Sequence, residues 1–151
     1  MKNRMKLTAM FVVLVFVTSL LPMAAMGLSL KETVSSKGID LTQKIVFQVE
    51  NTAMLNEENE LVMDVAPHIN KDRTMVPVRY FGETIGADVN WDAKTNKITL
   101  DLTDGTSFDV TKAVTIKDNR SFLPLNLLRV KLGMTVDWIE GERLIVIHKD
   151  T

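Results

Sequence analysis

An internal repeat limits the possible folds of this chain more than any other feature of its sequence. Residues 69–100 align without a gap on residues 116–147, at a constant offset of 47. Pairs of identical residues mark the alignment, among them Arg73 and Arg120, Pro77 and Pro124, Gly86 and Gly133, Val89 and Val136, Trp91 and Trp138, and Ile98 and Ile145. One copy of such a unit cannot bury its apolar face alone, so two copies predict a paired structure with pseudo-symmetry.

Each copy of the repeat predicts a short helix followed by a β-hairpin. Pro77 and Pro124 stand where the first turn of a helix tolerates a missing N–H. Gly86 and Gly133 stand where a left-handed cap would end that helix. Alternating apolar residues and polar turns then predict two strands in each copy. We therefore expect an α+β fold with mainly antiparallel strands, built from two helix-plus-hairpin units whose two short helices cover the sheet.

The segments before the repeat differ from one another in composition and hydrophobic pattern. Residues 1–27 have a basic start, an apolar run and small residues near their end, which is the plan of a cleaved signal peptide. The alternative is a retained membrane anchor, but the apolar run of residues 7–21 is shorter than the roughly 20 residues of a spanning helix. The polar residues 28–44 predict an N-terminal arm or linker. Residues 45–150 predict the domain, beginning with a half-buried strand at 45–50.

Composition excludes several classes of function. The chain has no cysteine, so it forms no disulfide, thiolate metal site or cysteine nucleophile. Without residues 1–27, 15 basic residues face 19 acidic ones. Phosphate binding relies on clustered Lys and Arg, so we expect no nucleic-acid partner. We expect a secreted mature chain that does not span the membrane.

One stretch of the sequence carries the motifs of a known family. Residues 64–100 read DVAPHINKDRTMVPVRYFGETIGADVNWDAKTNKITL. They resemble the copper amine oxidase N-terminal domain-like family, the stalk domains of bacterial extracytoplasmic proteins. The structural motif residues are Pro77, Arg79, Gly86, Pro124 and Gly133. The resemblance implies the fold and says little about activity, because function belongs to sites.

The family name mentions copper and amine oxidation, but the residue inventory supports neither. The chain has one tyrosine, Tyr80, and two histidines, His68 and His148, whose positions give no metal-ligand spacing. We interpret both histidines as exposed polar residues. We therefore expect no catalytic residue, no metal and no cofactor, and the chain is not predicted to be an enzyme.

Four side chains are candidates for binding. Trp91 and Trp138 could stack on sugar rings, but each shares a strand face with a valine, a pattern that favours the core. Arg73 and Arg120 could hold an anionic wall polymer. A local ion pair or backbone bond that fixes the turn is the favoured interpretation of both arginines. Arg79 is expected to pair with Glu83 on the helix surface.

These observations favour a secreted, non-catalytic binding or scaffolding module at the cell surface or in the cell wall. Its partner would be a cell-wall polysaccharide or another surface protein. One alternative is a self-associating structural or docking domain that uses exposed strand edges. A third hypothesis, a carbohydrate hydrolase, rests only on the abundance of carboxylates.

Overall fold

The computed structural model describes residues 28–149, so the predicted signal peptide lies outside the described residues. Within this range the chain forms three helices and twelve strands. In chain order they are α1 (Leu30–Ser36), β1 (Lys44–Gln48), β2 (Ala53–Asn56), β3 (Asn59–Val62), β4 (His68–Asn70), β5 (Arg73–Pro77), α2 (Val78–Thr84), β6 (Asp88–Asp92), β7 (Lys97–Asp101), β8 (Ser107–Asp109), β9 (Thr115–Lys117), β10 (Arg120–Pro124), α3 (Leu125–Leu132), β11 (Val136–Ile139) and β12 (Leu144–His148). No helix in this part of the chain is long and apolar enough to cross a membrane.

The strands form three antiparallel sheets, and the α+β class predicted from the sequence is confirmed. One sheet has the order β11-β12-β1-β2-β3, a second has β4-β5-β10-β9, and a third has β6-β7-β8. The elements of the two copies recur at the offset of the sequence repeat. Residues 73–77 and 120–124 are both strands, and residues 97–101 and 144–148 are both strands.

The two copies join through their equivalent strands β5 and β10. In this antiparallel pair Val76 lies opposite Leu123, and these two residues occupy the same position in their copies. A pseudo-twofold axis therefore passes between them. Both side chains are fully buried. Each unit thus contains two hairpins with a helix between them, whereas we expected one helix on one hairpin.

The second hairpins of the two copies take part in different sheets. The β6–β7 hairpin is extended by β8, while β11–β12 joins β1–β2–β3. Strand β6 packs closely on α2 because residue 82 is glycine. A Cβ atom on Gly82 would lie 2.5 Å from Cγ2 of Val89. This close approach sets the position of β6 relative to α2, and with it the position of Trp91 further along the strand.

Strand β1 lies inside the five-stranded sheet and is buried on both faces. Ile45 and Phe47 pack in the main core, whereas Val46 packs in a second apolar cluster on the other face. We expected a half-buried strand, which would leave Val46 on the exposed face, but Val46 is fully buried and that expectation is wrong. The cause is a helix that covers the second face.

That covering helix is α1, which lies within the segment expected to be an arm or linker. Ser29 and Glu32 form a capping box, in which each side chain accepts a hydrogen bond from the other's backbone N–H. Leu30, Val34 and Leu41 are buried in the second cluster. Residues 28–44 therefore pack as part of the fold.

Shortening Leu30 tests this packing. Leu30 is 1% exposed, so Leu30→Ala is expected to lower the free energy of unfolding by about 2–5 kcal/mol in chemical denaturation. Leu28, two residues away, is 67% exposed, so Leu28→Ala should change it by less than about 0.5 kcal/mol. Equal stability of the two variants would show that the segment is a loose arm.

Candidate functional site

A surface groove of about 460 Å³ runs between the β6–β7 hairpin and the β9–β10 hairpin. We call it the Trp91 groove. Its volume falls in the range of about 300–1,000 Å³ that is usual for small-molecule sites. Residues from both copies of the repeat line it: Trp91, Asn96, Ile98, Thr111, Val114, Ile116, Asn119 and Ser121.

The apolar part of the groove has two exposed side chains above a buried floor. Trp91 on β6 is 68% exposed and Ile116 on β9 is 61% exposed. Ile98, the cross-strand neighbour of Trp91, is buried in the main core, against which Val114 also packs. The floor of the groove therefore packs against the core, while the indole of Trp91 is open to solvent.

The polar part of the groove includes side chains that the fold does not use. Asn96, Asn119 and Ser121 make no side-chain hydrogen bond to any residue between 28 and 149. Asn96 and Asn119 each stand just before a strand, with positive φ angles of 54° and 61°. Asparagine tolerates this left-handed conformation in turns. Thr111 differs, because its hydroxyl contacts the backbone N of Ile98 at 2.9 Å.

A second depression of about 190 Å³ adjoins the groove and shares Asn119 and Ser121 with it. We call it the Asp64 depression. Tyr80, Arg120 and Val89 also line it. Val89 and Trp91 are two residues apart on β6 and so share one face of the strand. The two hollows therefore form one continuous surface.

Asp64 and Arg120 form an ion pair in this depression. Nη2 of Arg120 lies 2.6 Å and its Nε 2.7 Å from Oδ2 of Asp64. The Tyr80 hydroxyl donates to Oδ1 of Asp64 at 3.1 Å and accepts from the Asp64 backbone N–H at 3.0 Å. The hydrogen bond from Arg120 holds the pKa of the Asp64 carboxyl below its ordinary value of 3.8. The carboxylate raises the pKa of Arg120 in turn.

The two candidate arginines therefore differ. Arg120 is held by Asp64, 56 residues away along the chain, and by the carbonyl of Asn119 at 3.1 Å. Arg73 is exposed and makes no ion pair with a residue in the described range. If the offset of 47 is extended beyond the repeat, residue 111 is the counterpart of Asp64. Residue 111 is a threonine, so Arg73 has no acid equivalent to the one that pairs with Arg120.

Neither tryptophan lies in the core, and the expectation that favoured burial is wrong. Both stand on edge strands of their sheets, β6 and β11. Val89 and Val136 pack against the main core. The residue two positions further along each strand, Trp91 or Trp138, lies at the edge of the core and is exposed. Trp138 is 37% exposed, and its indole N–H donates to the carboxylate of Glu140.

In the second copy, the counterparts of two groove residues are engaged by acids. Trp138 is the counterpart of Trp91 and is held by Glu140. Arg143 is the counterpart of Asn96 and lies 2.9 Å from Oε2 of Glu50. The first copy has no such tether on Trp91, whose N–H has no partner among residues 28–149.

The prolines and glycines of the structural motif flank the two repeat helices, with the prolines at the N-cap positions, one residue before the first turn in which we expected them. Pro77 and Pro124 end β5 and β10 and immediately precede α2 and α3. Gly86 and Gly133 follow these helices with φ angles of 72° and 67°. Arg79 on α2 pairs with Glu83 at 3.1 Å, as expected.

The histidines are less exposed than we expected. His68 is half-buried, with its ring edge-to-face against Phe122 at 4.5 Å between centroids. This burial lowers its pKa. His148 lies 2.8 Å from Asp137. Residues 28–149 contain no group of three potential His, Cys, Asp or Glu ligands for a metal ion.

Asn96, Ile116 and Asn119 were not identified as site residues from the sequence. Asparagine before a strand is an ordinary turn signal. Only the β5–β10 pairing brings a turn of one copy beside the hairpin of the other. The repeat alignment pairs Ile116 with Ile69, and this apolar position, shared by both copies, is the one sequence feature that points to Ile116. The structure shows that both isoleucines are exposed.

Removing the indole of Trp91 should leave the fold intact. Trp91→Ala is expected to change the free energy of unfolding by less than about 0.5 kcal/mol, because the side chain is mainly in water. The control is Ile98→Ala, directly across the strand pair, which should cost about 2–5 kcal/mol. Denaturant melts of both variants give the comparison. If Trp91→Ala lowered the free energy of unfolding as much as Ile98→Ala does, Trp91 would have to be a core residue.

The ion pair of Asp64 gives a pH-dependent prediction. Since folding lowers the pKa of Asp64, its stabilising contribution is present above the unfolded pKa of about 3.9 and declines as the pH falls through the lower folded value. Asp64→Asn should therefore be less stable than the parent at neutral pH, and the gap should close in acid. Asp88→Asn, which removes an acid without a described ion pair, is the control in thermal melts. Identical pH profiles for the two variants would contradict the prediction.

Comparison with known proteins places this fold in a family. Residues 15–100 match the model of the copper amine oxidase N-terminal domain, which covers more than half of the chain. The match includes the whole first copy of the repeat, with α2 and the strand of Trp91. No curated protein and no solved structure matches the chain significantly. The domains of this family are non-catalytic. The chain belongs to the copper amine oxidase N-terminal domain family.

Proposed function

We propose that this protein is a secreted, non-catalytic binding module that acts at the cell surface or in the cell wall. The observation that carries the proposal is the Trp91 groove, where an exposed indole stands beside polar groups without partners in the described chain. Membership of a family of non-catalytic domains supports it. So does the signal-like composition of residues 1–27.

The groove has the character of a binding site because the fold gains little from it. An exposed tryptophan contributes little to stability, and a side-chain amide turned to water contributes no internal hydrogen bond. Exposed apolar groups with polar neighbours in a concave surface mark interaction sites. Trp91 and Asn119 fit this description, whereas buried Ile98 serves the core.

The carboxylates near the groove do not match a hydrolase. A glycosidase needs two carboxyl groups, one of which is protonated so that it can act as an acid. Among the residues that line the groove and the Asp64 depression, Asp64 is the single acid. Arg120 keeps its pKa low, so it stays ionised at neutral pH. This arrangement favours binding over hydrolysis.

Retention on isolated cell wall tests the proposal. The purified protein should sediment with wall fragments, and Trp91→Ala should abolish most of the retention. Trp138→Ala is the matched control, because Trp138 lies outside the groove and should be dispensable. Since no charged residue lines the Trp91 groove, retention should change little between low and high salt.

Two results would contradict the proposal in different ways. Absence of retention would remove the wall as the partner. Retention that is lost in high salt and in Arg73→Ala, but unaffected by Trp91→Ala, would move binding from the groove to the unpaired Arg73 and an anionic polymer.

A further inference from the structure

We infer that the Trp91 groove binds an uncharged sugar chain, with one pyranose ring stacked on the indole of Trp91. This inference rests on the proposed function and narrows it to one ligand class and one site. Four features of the groove carry the argument: an open indole, polar groups of both hydrogen-bonding types, the absence of charge and the continuation into the Asp64 depression.

The indole is available on its face and at its polar edge. Trp91 is mainly exposed, and its N–H has no partner in residues 28–149. The chain's other tryptophan, Trp138, is more covered and is held by Glu140. A flat apolar face beside a free donor suits a ligand with apolar C–H faces and a polar rim. A pyranose ring has both.

The neighbouring polar groups both donate and accept hydrogen bonds. The amides of Asn96 and Asn119 each supply an acceptor oxygen and an NH₂ donor, and the hydroxyl of Ser121 supplies both functions. None of the three is used by the described part of the fold. Sugar hydroxyls also donate and accept, so they can satisfy both halves of each group.

The lining of the groove selects against charged and acceptor-only ligands. No Asp, Glu, Lys or Arg lines the groove. Phosphate groups are bound mainly by Lys and Arg, so a phosphate ligand would have no cation here. A proline-rich peptide offers mainly backbone carbonyls, because proline has no N–H. It would leave the acceptor oxygens of Asn96 and Asn119 unpaired. A neutral polyhydroxylated ligand fits this lining better.

The ligand is a chain because the groove continues. The Asp64 depression shares Asn119 and Ser121 with the groove and extends it toward Tyr80 and Arg120. The charged side chains that line this second part are all held in ion pairs, Arg120 with Asp64 and Arg79 with Glu83. A further sugar unit would lie there, so oligosaccharides should bind more tightly than monosaccharides.

Tryptophan fluorescence provides a direct measurement at the site. The chain has two tryptophans, so the Trp138→Phe variant reports on Trp91 alone. The probes are soluble β-linked oligomers of glucose and of N-acetylglucosamine, with the corresponding monosaccharides for comparison. At least one oligomer should shift the emission saturably at concentrations up to about 10 mM, and more strongly than its monomer.

Two variants and one control link binding to the groove, with affinity measured by calorimetry. Trp91→Ala should weaken binding of the oligomer at least about tenfold, and Asn119→Gly should weaken it about threefold to tenfold. Glycine preserves the positive φ angle of residue 119, so this variant removes the amide without straining the turn. Trp138→Ala should bind as the parent does. Thermal melts of all variants confirm that they are folded.

The possible failures are distinguishable from one another. Wall retention without binding of any neutral oligomer would overturn this inference and leave the proposed function standing. Absence of both wall retention and oligomer binding would overturn both this inference and the proposed function. Oligomer binding that is unchanged in Trp91→Ala would overturn the site. An emission shift produced by a proline-rich peptide and by no sugar would overturn the ligand class.

Discussion

The pairing of β5 with β10 is the contact on which the rest of the molecule depends. Val76 lies opposite Leu123, so the two copies meet at equivalent positions and both side chains are buried. Each strand runs directly into its helix through Pro77 or Pro124. This single register therefore places both helices and, through α2, the β6–β7 hairpin. It also brings the β9–β10 turn beside β6, where the groove forms.

Segments outside the repeat then make the two copies unequal. Strand β1 and helix α1 attach to the β11–β12 hairpin side and give that sheet a core on each face. The β6–β7 hairpin receives only the short strand β8. Glu50, which lies outside the repeat, holds Arg143 of the second copy, and Glu140 within that copy holds Trp138. The first copy leaves Trp91 unheld, which explains why the candidate site belongs to that side of the molecule.

Local chemistry predicted much of this fold, and long-range contacts supplied the rest. The repeat offset, the prolines before the helices and the glycines after them are local signals, and all have structural counterparts. The partnership of Asp64 with Arg120 spans 56 residues and leaves no trace in spacing. The exposure of Trp91 also escaped prediction, because alternation identifies a strand face but not whether the strand is an edge. Helix α1 was detectable from its capping box, but its polar surroundings obscured it.

The positions of Asn96 and Asn119 at the ends of turns have a consequence for engineering. Neither side chain supports the core, and both backbones already hold a conformation that glycine and asparagine accept. With asparagine or glycine kept at these two positions, varied neighbouring residues in both turns would be displayed side by side on an unchanged framework. With no cysteine in the chain, such libraries would fold without oxidation. A duplicated domain of this kind offers a small scaffold in which recognition can be selected separately from stability.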